Sequence, residues 1–188
     1  MKKQFIIASV MLSLMSTTAW AKTVADVDVP ESITVNEQVM QLNGAGVRSK
    51  FFMDLYVGSL FTQSQVNEAP PVVEGSMASA IRLNITSGMI NSEKLTNALN
   101  DGFDLATGGD PSAIAPSIEN FVKFTFAEEI KEGDQFTLVS IPQEGVYSYK
   151  NGQQLSFTQD EAFRKALMLI WLGKKPTDKQ LKKDMLKG

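Results

Sequence analysis

The run from Leu42 to Phe61, LNGAGVRSKFFMDLYVGSLF, constrains this chain more than any other part of it. Two glycines one residue apart, Gly44 and Gly46, interrupt the end of a strand and deliver a single arginine, Arg48, just ahead of a second apolar stretch. In that stretch the odd positions Phe51, Met53, Leu55, Val57 and Phe61 are apolar, while the even positions mix Phe52, Asp54, Tyr56 and Leu60. Side chains alternate across a strand, so one face belongs to a core and the other, carrying Asp54 and Tyr56 together, meets something less uniform. One long strand over 51–61 is expected.

The first residues have the order of a secretory leader. Met1-Lys2-Lys3 is followed by an apolar stretch from Phe5 to Met15 and by Ala19-Trp20-Ala21, a small-x-small cleavage site. The expectation is a signal peptide over 1–21, a domain over 22–188 and a periplasmic location. The apolar stretch falls short of the roughly 20 residues of a membrane-spanning helix, and no cysteine follows to take a lipid, so no stable membrane anchor is expected. Cleavage would remove Lys2 and Lys3 and move the net charge from −3 to −5. An acidic chain without clustered cations is a poor partner for nucleic acid.

The chain has no cysteine and no histidine. An exported chain without cysteine must hold its fold by packing alone. Lack of histidine removes the usual agent of imidazole metal sites, general-base catalysis and serine triads. Gly44-x-Gly46 lacks the Lys-Ser/Thr continuation of a phosphate loop. No metal and no cofactor is therefore expected.

The remaining pattern is β, then α, then β, then α. Ile33 to Val35 and Val39 to Leu42 flank a turn at Asn36-Glu37, 63–75 reads as a loop, and Ala80 to Thr86 alternates as a half-buried strand. Leu95, Ala98, Leu99, Gly102, Phe103 and Ala106 form one stripe of a helix that ends at Gly108-Gly109, and a second helix restarts at Pro116. Strands return from Phe136 to Ile141, Val146 to Tyr149 and Leu155 to Phe157, the last two joined at Asn151-Gly152, a type I′ turn signal. Thr158 with Glu161, and Thr177 with Gln180, have capping-box spacing before two closing helices, with Phe157 placed to staple against Ala162. The stripe Phe163, Ala166, Leu167, Ile170 and Trp171 is expected to be core, and Gly173 to stop the helix. This order predicts an α+β domain, an antiparallel sheet covered by helices.

The Leu42–Phe61 run, with the Ile170-Trp171-Leu172-Gly173 helix end, resembles the chalcone isomerase-like family, in particular its secreted bacterial branch. The resemblance implies that family's open-faced β-sandwich. It also implies that Arg48 points into a ligand cleft, as the corresponding arginine does in the isomerases and in their fatty-acid-binding relatives. Plant isomerases add a threonine early in the next strand, a tyrosine and an asparagine on the following helix, and a hydroxyl near the last helix end. Here Phe51 and Phe52, Asn91, Ala98 and Ile170 stand near those positions, so no catalytic residues are assigned and chalcone isomerase activity is not expected.

The expected function is periplasmic, non-enzymatic binding of a small amphiphilic ligand such as a fatty acid. Arg48, Tyr56, Phe52 and Asn91 are the candidate ligand-binding residues, in a cleft roofed by the two central helices. A guanidinium offers a fork of donors matched to a carboxylate, and a tyrosine hydroxyl adds a neutral one. Asp54 fits less well, because a second anion would weaken an anion site. Two other readings remain open: an isomerase- or lyase-type enzyme using the same cleft, and a ligand-free protein-interaction module whose interior beside Arg48 would be filled.

Overall fold

The computed structural model describes residues 21–187, so the leader read at 1–21 lies outside the described residues except for Ala21. The first two strands, β1 (Ala21–Val24) and β2 (Val27–Pro30), form a separate ribbon. Seven strands then pair antiparallel in chain order into one sheet: β3 (Ser32–Val35), β4 (Gln38–Lys50), β5 (Met53–Thr62), β6 (Ser79–Ile85), β7 (Gln135–Ile141), β8 (Gly145–Lys150) and β9 (Gln153–Thr158). The helices are α1 (Pro70–Val73), α2 (Ser92–Ala106), α3 (Ala115–Thr125), α4 (Glu161–Leu172) and α5 (Lys179–Met185), with a 3₁₀ turn at Ser112–Ile114. The predicted α+β class and antiparallel sheet are what the chain forms; the sheet curls into a half-barrel with helices packed against it.

The alternation in β5 separates two cores. Tyr56 and Leu60 face the helices, joining Leu95, Leu99, Phe103, Phe121, Phe163, Leu167 and Trp171 in the larger cluster. Val57 and Phe61 face the other way and pack with Val29 of the ribbon, Ile33, Met40 and Val139. On the helix side Phe163 is the aromatic hub, its ring 5.4 Å from Phe103 and 5.2 Å from Phe121. The stripe read on α4 is buried as expected, Trp171 with it.

Several expectations need correction. Phe51 and Phe52 are not strand residues: they form the two-residue turn between β4 and β5, at φ values of 52° and 65°. Arg48 pairs with Tyr56 and Ser49 with Asp54, which leaves Leu55 as a bulge. A bulge breaks the two-residue alternation, so Asp54 parts company with Tyr56 and accepts from Ser49 Oγ at 2.6 Å on the exposed side. The presumed loop at 63–75 contains α1, whose Val72 and Val73 are buried.

Both final helices are capped one or two residues later than the capping-box spacing suggested. Asp160 accepts from the Phe163 amide at 3.0 Å and Asp178 from the Leu181 amide at 2.9 Å. Thr158 instead ends β9, and Phe157 stacks on Tyr147 rather than stapling to Ala162.

Arg164 lies fully buried on α4. Its Nε and Nη2 each donate to Glu161 at 2.8 Å, its Nη1 to Ser140 Oγ at 2.8 Å, and its Nη2 also to the Val73 carbonyl at 2.9 Å. One guanidinium thus joins α1, β7 and α4 and satisfies acceptors that would otherwise be buried without donors.

The glycines of β4 find their reason at the other end of the chain. A Cβ on Gly44 would stand 2.2 Å from the Asp184 carbonyl oxygen, and one on Gly46 would stand 2.7 Å from Asp184 Cβ. The backbone of α5 lies directly on this strand, through space only glycine leaves open. Asn43, the bulged residue beside Gly44, fastens it by donating to the Met185 carbonyl at 2.7 Å and to the Val66 carbonyl at 2.9 Å.

Candidate functional site

A cavity of about 400 Å³ opens where the β4–β5 hairpin meets α2 and the end of α4. That volume lies within the range of small-molecule sites. Leu55, Leu95, Ala98, Leu99 and Ile170 make its apolar wall, and Lys50, Phe51, Met53, Met89, Lys94, Asn97 and Asp101 contribute to its lining as well. It is roofed by α2 and α4, not by the two central helices α2 and α3 as expected. The helix α3 borders a different depression, lined by Ile118, Val122 and Phe103.

Arg48, Tyr56, Trp171 and Thr177 form one polar group within the first cavity. Arg48 and Tyr56 are cross-strand partners, with the guanidinium carbon 6.0 Å from the Tyr56 ring centroid. The indole Nε1 of Trp171 donates to the Tyr56 hydroxyl at 3.0 Å. Thr177, in the link between α4 and α5, completes the group. Its amide donates to the Ile170 carbonyl at 2.9 Å, which folds the link back toward α4.

Among the described residues six buried side-chain polar atoms lack a partner, five hydroxyls and one guanidinium nitrogen, and two of the six belong to this group. Arg48 Nη1 and Thr177 Oγ1 are both buried and have no protein partner. Tyr56 accepts from Trp171, so its own O–H is left to donate, either into the cavity or to the neighbouring Thr177 hydroxyl. Burial pushes the Tyr56 pKa above its ordinary value of 10.0; the Arg48 charge and the Trp171 hydrogen bond pull it down by less. The phenol is therefore neutral at physiological pH. Arg48 Nη1 can only donate, and the Tyr56 and Thr177 hydroxyls can each donate as well, a set suited to the two oxygens of a carboxylate.

Of the residues singled out from sequence, Arg48 and Tyr56 line this cavity. Phe52 does not: at the tip of the β4–β5 turn it is fully exposed, and its neighbour Phe51 borders the cavity instead. Asn91 does not either, because its side chain caps α2 by accepting from the Lys94 amide at 2.9 Å. Asp54 lies outside the cavity lining. Trp171, expected in the core stripe of α4, is both core and cavity wall. Thr177 was missed because it was read as a cap; with Asp178 capping α5, its hydroxyl is left for the cavity. A hydroxyl thus stands beside the end of α4, where Ile170 alone had been expected to replace it.

Among the described residues, no group of acidic side chains could hold a metal ion, and no helix is long and apolar enough to cross a membrane.

The fold has a solved counterpart in a fatty-acid binding protein of Arabidopsis thaliana. The two superpose with a TM-score of 0.65 at 15% sequence identity, covering 84% of this chain and 96% of the plant protein. Among curated proteins no sequence matches. A family model described as chalcone isomerase-like matches residues 21–187, nearly the whole sequence, and the chain belongs to the chalcone isomerase-like family.

Proposed function

We propose that this protein binds a small amphiphile with a carboxylate head, such as a fatty acid, without transforming it, in the periplasm after removal of residues 1–21. The observation that carries the reading is the buried, unpartnered Arg48 Nη1 in a mainly apolar cavity, beside the O–H of Tyr56 and the Thr177 hydroxyl. Buried donors are normally satisfied, so a site holding several unsatisfied ones is made for an acceptor that comes from outside. The acyl chain would lie against Leu55, Leu95, Leu99 and Ile170. The fatty-acid binding function of the plant structural counterpart supports the same ligand class.

An open cavity beside Arg48 speaks against a ligand-free interaction module, which would have that space filled. The test is displacement of a fluorescent fatty acid from wild type and from Arg48→Ala. Removing one side of a charge-assisted pair typically costs a complex about 2–5 kcal/mol, so the variant should lose nearly all affinity while keeping its fold. Wild-type affinity in Arg48→Ala would remove the arginine from the site.

A second reading, an isomerase-type enzyme, is favoured by one observation, the Thr177 hydroxyl next to Tyr56 and Arg48. Loss of a single preorganised donor can slow a reaction about 100-fold or more, and Phe51, Ala98 and Ile170 offer none. Chalcone absorbance should decay equally fast with and without protein. A saturable acceleration lost in Arg48→Ala would establish the enzyme.

A further inference from the structure

The turn between β4 and β5 is built from the wrong residues for its conformation. Phe51 and Phe52 both have positive φ, a region that bulky side chains rarely adopt. The turns at Asn36–Glu37 and Asn151–Gly152 take the same two-residue form with an asparagine, which tolerates positive φ, at the first position. Neither phenylalanine recovers that strain by burial: Phe51 is 78% exposed and Phe52 107%. Met53 and Met89 stand beside the same opening at 38% and 46%, and both, like Phe51, line the cavity. Half of the eight large exposed hydrophobic residues among the described residues are therefore Phe52 and cavity-lining neighbours of its turn.

Two cations accompany them. Lys50 Nζ lies 5.5 Å from the Phe51 ring centroid, and Lys94 Nζ donates to the Met89 carbonyl at 2.9 Å. Of the acids nearby, Asp54 is engaged by Ser49, and Asp101 lies on α2 in the cavity lining. An aromatic tip with lysines behind it has the layout of a bilayer-contacting segment: rings at the acyl boundary and ammonium groups at the level of anionic headgroups. Four side chains fall far short of the 20 to 30 residues per side, roughly, that a stable protein interface uses, which disfavours a second copy as the occupant.

We propose that the Phe51–Phe52 tip docks this protein on a phospholipid surface, with the cavity opening facing the bilayer that holds its amphiphile. The choice of cargo rests on the function proposed above; the docking itself does not. Phe52 outside the cavity allows the two to be separated.

The experiment is co-sedimentation with phosphatidylethanolamine/phosphatidylglycerol vesicles and with neutral phosphatidylcholine vesicles, alongside fatty-acid displacement in vesicle-free buffer. Wild type should sediment with the anionic vesicles more than with the neutral ones. Phe52→Ser should reduce partitioning about tenfold or more, as expected for withdrawing one buried phenyl ring, with displacement unchanged. Phe52→Trp should show a blue-shifted emission on vesicles that brominated lipid quenches. No vesicle binding by wild type, equal binding by Phe52→Ser, or an unquenched tryptophan that is buried only through concentration-dependent self-association would each overturn the proposal. Vesicle binding without fatty-acid displacement would overturn the cargo and leave the docking standing.

Discussion

The Trp171 indole donates its hydrogen bond to the Tyr56 hydroxyl across 115 residues of sequence, and so decides which way the phenol proton points. With an N–H already aimed at its oxygen, Tyr56 is left to act as a donor.

Trp171→Phe removes that N–H and little volume. The oxygen of a buried phenol then lacks its donor, so chemical denaturation should report a loss of roughly 1–3 kcal/mol. Trp171→Ala should cost more, about 3–5 kcal/mol, because it adds a cavity. If the phenylalanine variant is as stable as wild type, the hydrogen bond contributes nothing to the fold.

All three tyrosines of the chain, Tyr56, Tyr147 and Tyr149, are held above the ordinary phenol value. Burial does this for Tyr56 and Tyr149, while the hydrogen bond to Glu144 pushes Tyr147 up to about 12. Raised values in the folded state mean that the unfolded chain loses its phenol protons first. The corresponding stability is fully present below pH 10 and is lost as pH rises through the folded values. Tyrosinate absorbance should rise at higher pH in the folded protein than in the denatured chain. A tyrosine ionising near 10 in the folded protein contradicts this.

Arg164 gives the opposite sign in acid. Its hydrogen bonds hold the Glu161 carboxyl below its ordinary 4.5. That contribution is present above pH 4.5 and disappears as pH falls through the lowered value. Arg164→Ala should abolish this part of the acid dependence and cost roughly 1–3 kcal/mol at neutral pH, since Ser140 and the Val73 carbonyl lose their donor inside the protein. Melts of both proteins from pH 3 to 7, approximately, provide the comparison.

Gly44→Ala places a methyl group against the α5 backbone rather than against a flexible side chain. The helix must lift, at about 1–3 kcal/mol or more. Thr177 stands next to Asp178, the cap of α5, so fatty-acid affinity should fall with stability. Unchanged affinity would mean that the link holds Thr177 without the helix.

What could be read from the sequence was mostly local. The Asn36–Glu37 and Asn151–Gly152 turns, the α2 stripe and the Gly173 stop each depend on a few neighbouring residues whose propensities agree with the fold. Phe51–Phe52 escaped because its propensity opposes its conformation, and Leu55 because a bulge leaves no mark in a two-residue repeat. The final caps were misplaced since threonine and aspartate stand close together at both helix starts and either can cap. Arg164 was invisible, because an arginine is ordinarily a surface residue until its acceptors are known. In the site, Arg48 and Tyr56 were legible as neighbours on adjoining segments, whereas Trp171 and Thr177 reach them only through tertiary packing.

The Asn43 clamp on the Met185 carbonyl spans 142 residues. It fastens β4, the strand that carries Arg48, directly to α5, the helix that follows Thr177. The docking of α5 on β4 therefore helps to set where the link carrying Thr177 stands beside Arg48 and Tyr56. Contacts of such sequence separation are slow to form. Ligand competence in this chain consequently reports the completion of folding: an intermediate with its sheet and α4 assembled, but α5 still undocked, would have nearly all of its core and no finished site.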